Sequence, residues 1–343
     1  MNDRPNLENI QALRWIAAAL VFIQHSVYFS GLTIGDQMLS FRGFNLGGTG
    51  VFIFFIISGF VIALQTNKRP AQFLLHRIFR IYPGYIAALI FSTAILFLFS
   101  DYRPTFSTPS LSMLLIPIGS LNSSFQIPYW TLIYEMFFYS LVLLLMIVHR
   151  SNTRLIDASI LIWMLGILTS IYLGTKIDTA KPDIGEIFLS PLNIYFICGF
   201  FLSRAFFSKK PNLAYLALFL ISATGCYFTQ MRYQVTVCAF GVAAIIFAVK
   251  LQPLPKLLNN LGDYSYGIYL AHLPVIYCIY LALKDSGTGF AATLALMIIS
   301  ALPAAIFFGR MEHWLYKGRI RPVVDSLFEK KNNSSLRPSL ERQ

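Results

Sequence analysis

Arg14 and His25 lie eleven residues apart in the apolar stretch IQALRWIAAALVFIQHSVYF. On a helix, eleven steps of ~100° return almost to the starting direction while rising ~16 Å, so the two side chains share one stripe at different depths. A neutral imidazole can take a proton from a hydroxyl near pH 7, and a guanidinium can hold an anionic group through paired N–H donors. Each residue also has a plain structural reading. A histidine in an apolar span is often a hydrogen-bonding packing group, and an arginine near a helix end often only snorkels to water.

Glu135 is the acidic residue set firmly inside an apolar span, in PYWTLIYEMFFY. If its helix runs inward, it lies at the same depth as His25, and the two could form a base and its orienting carboxylate. A structural Glu bonded between helices to tyrosine hydroxyls or indoles is the alternative. The segment NKRPAQFLLHRIFRIYPGY holds Lys68, Arg69, His76, Arg77 and Arg80. Arg77 and Arg80, one turn apart, could fork onto a phosphate, although any inner loop of a membrane protein tends to be basic. In LGDYSYGIYLAHLPVIYCIY, Tyr269 and His272 can share a face, where a packed, satisfied histidine is the simpler reading. No metal-type spacing occurs, and Cys198, Cys226, Cys238 and Cys278 read as buried free thiols.

The elements that must position these groups follow from composition. Of 343 residues, 56% are hydrophobic and 12% charged, far from a soluble mixture, so disordered chains, secreted disulfide scaffolds and ordinary globular enzymes are excluded. Apolar runs near 10–30, 46–65, 81–100, 129–149, 155–173, 187–207, 211–229, 232–251, 263–283 and 289–309 are each close to the ~20 residues a bilayer requires. The spacing predicts an all-α polytopic bundle of about ten transmembrane helices, surrounded by lipid. With the N-terminus inside, 21 Lys and Arg fall on inner segments and six on outer ones, which sets both termini in the cytoplasm. That asymmetry accounts for the net charge of +12 without a nucleic-acid partner.

The first span is longer than a signal-peptide core and is expected to be retained. The apolar piece LSMLLIPIGSL at 111–121 is too short to span and reads as re-entrant or interfacial. After Gly309, MEHWLYKGRIRPVVDSLF reads as a basic interfacial helix. The transmembrane domain is then residues 1–328, with a disordered polar tail at 329–343.

Five blocks in order carry a resemblance. They are Arg14 and His25 with ten residues between them, GVFIFFIISGFVI at 50–62, HRIFRIYPGY at 76–85, YWTLIYEMFFY at 129–139 and LGDYSYGIYLAH at 261–272. In these the chain resembles the acyltransferase-3 family of integral-membrane O-acyltransferases, in its stand-alone form without a fused periplasmic esterase-like domain. The resemblance implies transfer of an acyl group, most often acetyl, from cytoplasmic acyl-coenzyme A to a carbohydrate hydroxyl across a bacterial-type inner membrane. It implies acetyl-coenzyme A as donor and no metal. His25, Glu135 and Arg14 become the catalytic candidates, and Arg14, Arg77 and Arg80 the donor-binding ones. Trp130, Tyr134, Tyr269 and His272 become the substrate-binding set. Whether His25 is a base or carries the acyl group stays open.

A proton-coupled exporter of a sugar or anionic cargo would also use intramembrane His and Glu. It would show paired interrupted helices in the two halves, and no such pair is evident. The charge split makes one prediction. Tags at residues 105 and 178 should react with an impermeant reagent from outside the cell, and tags at 68, 209 and 335 only after the membrane is opened. Labelling of residue 68 from outside would invert the topology.

Overall fold

The computed structural model describes residues 7–36, 45–99, 114–119, 128–180, 182–228 and 231–335, without the side chains of 225, 226 and 329–335. The helices are α1 (Asn9–Leu32), α2 (Leu46–Ala63), α3 (Pro70–Phe99), α4 (Trp130–Val148), α5 (Thr153–Tyr172), α6 (Ile184–Leu189), α7 (Asn193–Phe207), α8 (Asn212–Tyr227), α9 (Arg232–Lys250), α10 (Lys256–Leu283), α11 (Phe290–Leu315) and α12 (Arg321–Ser335). A π-helical turn, Tyr316–Ile320, joins the last two. No strand occurs among the described residues.

Among the described residues, eight helical stretches are long and apolar enough to cross a membrane: α1 to α5, α9, α10 and Phe290–Phe328. Asn193–Phe207 and Asn212–Thr224 are shorter apolar helices, so two of the ten expected spans fall below that length. The chain is a multi-pass membrane protein. The span expected at 187–207 is broken, because Pro191 drives Ser190 into extended backbone and ends α6, itself closed at its start by an Asp183–Glu186 capping box. A second difference lies beyond Gly309, where α11 continues without a break to Leu315 rather than giving way to a separate surface helix. Of the piece at 111–121 only 114–119 are described, and the end of the tail from 336 lies outside the described residues. Cys198 and Cys238 are buried free thiols, whereas Cys278 is only half-buried.

Water gives membrane helices no hydrophobic reason to associate inside lipid, so close backbone approach over small residues takes that role. Helix α10 packs against α1, α3 and α11, and α2 packs against α1 and α7. Gly262 on α10 faces the Gln11 carbonyl of α1, and Gly199 on α7 faces the Ile56 carbonyl of α2, so a Cβ at either would collide with backbone. Between α2 and α4, Phe55 meets Phe138 edge-on, and Phe138 stacks on Phe196 with centroids 4.1 Å apart. Pro274, inside α10, has no N–H for the Leu270 carbonyl, and the Tyr129 hydroxyl donates to that oxygen at 3.2 Å. That bond ties the start of α4 to α10.

Replacing Gly199 by Val should separate α2 from α7 at a cost of at least ~2 kcal/mol, as overpacking of a closed contact does. The apparent melting temperature in detergent should fall by several degrees, whereas Gly166→Val, with open space around it, should leave it unchanged.

Candidate active site

A cavity opens between α1, α2, α3, α4 and α10, with about 820 Å³ of empty space including its open mouth. Its polar wall is Arg14, Ser58, Arg77, Arg80, Thr131, Glu135, Tyr139, Tyr266 and Tyr269, and its apolar wall includes Phe54, Phe55 and Ile81. Five of the residues expected from the sequence therefore meet in one space: Arg14, Arg77, Arg80, Glu135 and Tyr269. Ser58, Thr131, Tyr139 and Tyr266 were not anticipated. They belong to the blocks at 50–62, 129–139 and 261–272, but nothing in their residue types set them apart from packing groups.

The three guanidiniums are held differently. Arg80 donates from Nη1 to Oε1 of Glu312 at 2.7 Å and lies between the rings of Tyr266 and Tyr316, 4.8 and 4.9 Å from their centroids. Arg77 lies 5.2 Å from the Tyr139 centroid and 5.7 Å from that of Phe73, and its Nε is buried with no partner among the described residues. Arg14 is within reach of the charges of Arg80 and Glu135, and makes a long 3.4 Å bond to Gln11. The Tyr139 hydroxyl donates to Glu135. Gly84 makes room for this cluster, since a Cβ there would press on Tyr266 and on the Glu312 side chain.

His25 stands apart from Glu135. Its Nδ1 is 2.8 Å from Nε2 of His272, with the ring centroids 5.1 Å apart and the ring planes 21° from parallel. His272 is buried, while His25 is half-buried. The expected equal depth does not bring the two together: Glu135 lies within reach of the charge of Arg14, at the other end of that stripe of α1. α1 packs on α10, and that contact gives His25 its partner. Tyr269 links the pair to the cavity. Its ring centroid is 6.2 Å from that of His272, and its hydroxyl reaches Thr131 Oγ1 and the Pro128 carbonyl, each at 2.8 Å.

Trp130 and Tyr134 stand outside the cavity wall. Tyr134 is buried, and its hydroxyl is committed to Ser190 and the Thr179 carbonyl, both at 3.0 Å, with Trp130 edge-on to it at 6.1 Å. Among the described residues, no group of three or more His, Cys, Asp or Glu could hold a metal ion.

A family model described as an acyltransferase domain, that of the acyltransferase-3 family, matches residues 7–310. The chain belongs to the acyltransferase-3 family. It is 27% identical to the exopolysaccharide production protein ExoZ of Rhizobium meliloti (strain 1021), over 83% of this chain and 94% of the relative. It is 24% identical to the acyltransferase MdmB of Streptomyces mycarofaciens, over 93% of this chain and 94% of the relative. No solved structure matches the chain. The protein is thus an acyltransferase for groups other than aminoacyl, which decides against the exporter. The matched region ends at Arg310 and so stops just short of Glu312, the counter-ion of Arg80.

Glu312→Ala should cost ~3–5 kcal/mol of stability, because it strands a buried guanidinium. The double variant Arg80→Met/Glu312→Met should recover most of that loss in a detergent melt. Equal melting of the single and double variants would show that the pair is not coupled.

Proposed function

We propose that this acyltransferase carries an acyl group, acetyl foremost, from cytoplasmic acyl-coenzyme A to a hydroxyl of a cell-surface or lipid-linked carbohydrate. It works in a bacterial-type cytoplasmic membrane with both termini inside, a reading supported by the split of Lys and Arg. The observation that carries the proposal is a cavity in an apolar bundle with three arginines in its wall, two of them without a carboxylate bond among the described residues. Coenzyme A brings several phosphates, and Arg14 and Arg77 are the donors left to clamp them. Glu135, bonded to Tyr139, shares the wall with these guanidiniums. Arg80, fastened to Glu312, forms wall rather than clamp.

His25 lies ~16 Å further along α1 than Arg14, a distance the flexible arm of coenzyme A can cross. There it takes the proton of the acceptor hydroxyl as the oxygen attacks the thioester carbonyl carbon. The carbon–sulfur bond breaks, and the proton passes to the departing thiolate. The wall polar groups, Tyr269 and Thr131 among them, stand between clamp and base. A carbohydrate acceptor is supported by the name of one relative, an exopolysaccharide production protein.

The test uses inside-out vesicles from the source cells, which hold the natural acceptor, supplied with radiolabelled acetyl-coenzyme A. Arg14→Ala and Arg77→Ala should each raise the KM for acetyl-coenzyme A by about 10-fold or more, the worth of a lost charge-assisted contact. His25→Ala should lose at least ~100-fold in label transfer while still inserting. Normal donor kinetics in both arginine variants would reduce the basic cluster to a topology signal. Full turnover by His25→Ala would remove the base.

A further inference from the structure

The hydrogen-bond chain beyond His25 fixes which of its nitrogens is free. Nδ1 of His272 lies 3.1 Å from the Ile268 carbonyl oxygen, one turn earlier on α10. A carbonyl only accepts, so that nitrogen carries the hydrogen. A neutral imidazole has a single N–H, and Nε2 of His272 is therefore a lone pair. Nδ1 of His25, 2.8 Å away, must donate to it. The hydrogen of His25 is then on Nδ1, and its Nε2, on the other side of the ring, is left unprotonated with no bond from any described residue.

We infer that His272 is a positioning residue, whose buried ring locks His25 in the tautomer with its Nε2 lone pair free for the acceptor hydroxyl. The inference rests on the base role proposed for His25 and adds a residue that touches no substrate. Two further contacts hold the relay in place. The imidazole planes are within 21° of each other, as an N–H···N bond lying in the ring planes requires, and Phe22 lies 6.1 Å and Tyr269 6.2 Å from the His272 centroid. When Nε2 of His25 takes the hydroxyl proton, the resulting imidazolium keeps its Nδ1–H on His272, so its charge is solvated inside the bundle by a group already in place. The proton then leaves from Nε2 to the coenzyme A thiolate, and His272 ends the cycle as it began. A wrong tautomer would offer the hydroxyl an N–H in place of a lone pair, a fault that in a comparable orienting role costs about 10⁴-fold in turnover.

Two polar replacements of similar size separate positioning from packing. In His272→Asn the amide nitrogen falls near the old Nδ1 and keeps the Ile268 bond, but the side chain is too short to reach His25. In His272→Gln the amide oxygen falls near the old Nε2 and can still accept from His25. In the same vesicle assay, His272→Asn should lose at least ~100-fold in kcat with the acetyl-coenzyme A KM within about 2-fold of the parent. His272→Gln should stay within about 10-fold of the parent, and both should melt alike in detergent. Equal kcat for the two variants, or a loss expressed only in KM, would overturn the relay while leaving the base intact. Full turnover by His25→Ala, measured alongside, would overturn the base and with it the relay.

Discussion

A guanidinium inside an apolar bundle must be answered by a carboxylate, an aromatic face or an incoming anion, and this chain brings three guanidiniums to one space. Arg80 is answered in full, by Glu312 and by two tyrosine rings. Arg77 has rings but an idle Nε, and Arg14 shares the field of Glu135 with its neighbours. The bundle is arranged around that unequal settlement. α11 has to stay helical past Gly309 to deliver Glu312, Gly84 has to lack a side chain to admit it, and Tyr266 has to bond the Ile81 carbonyl, at 2.8 Å, to stay under Arg80. The polyanionic donor proposed above would need positive charge left over, and the excess is on α1 and α3.

The imidazole pair obeys the opposite rule. Among the described residues no carboxylate bonds His25 or His272, which lie against Phe22 and Tyr269. Acid–base work near neutral pH needs an imidazole that is neutral at rest, and a charged neighbour would bias it. The separation between the cationic cavity and the imidazole pair thus keeps two incompatible electrostatic requirements apart, with only α1 contributing both a cavity guanidinium and a member of the pair. Tyr269 and Thr131 form the boundary.

Much of this was legible in the sequence. Apolar runs of bilayer length gave the helices, and Arg14, Arg77, Arg80, Glu135 and Tyr269 are drawn together because residues that are costly in lipid collect where a cavity can accommodate them. The partner of His25 was not legible. Helical period fixes which residues of one helix share a stripe, but which stripe meets which helix depends on packing across hundreds of residues, and here glycine contacts such as Gly262 against the Gln11 carbonyl set it. Glu312 was missed for a different reason. Its neighbours Arg310, His313 and Lys317 give the local sequence a surface composition, and only the Arg80 ion pair shows that one face of that turn is buried. Trp130 and Tyr134 have amphipathic side chains suited to sugars, yet Tyr134 spends its hydroxyl on Ser190 and Thr179.

The pairing of α1 with α10 also has a consequence during synthesis. His25 and His272 are 247 residues apart, and Arg80 and Glu312 are 232 apart. At translation rates of ~5–20 residues per second, roughly 12–50 s pass between emergence of the first imidazole from the ribosome and that of its mate. For that interval α1 and α3 stand in or beside the bilayer with arginines and a histidine whose eventual partners do not yet exist. The nascent chain must shelter them in the insertion machinery or at the lipid headgroups. The contacts that close the bundle are therefore the last to form, and a ribosome stall before α10 would leave all the early spans emerged with His25 and Arg80 still waiting for His272 and Glu312.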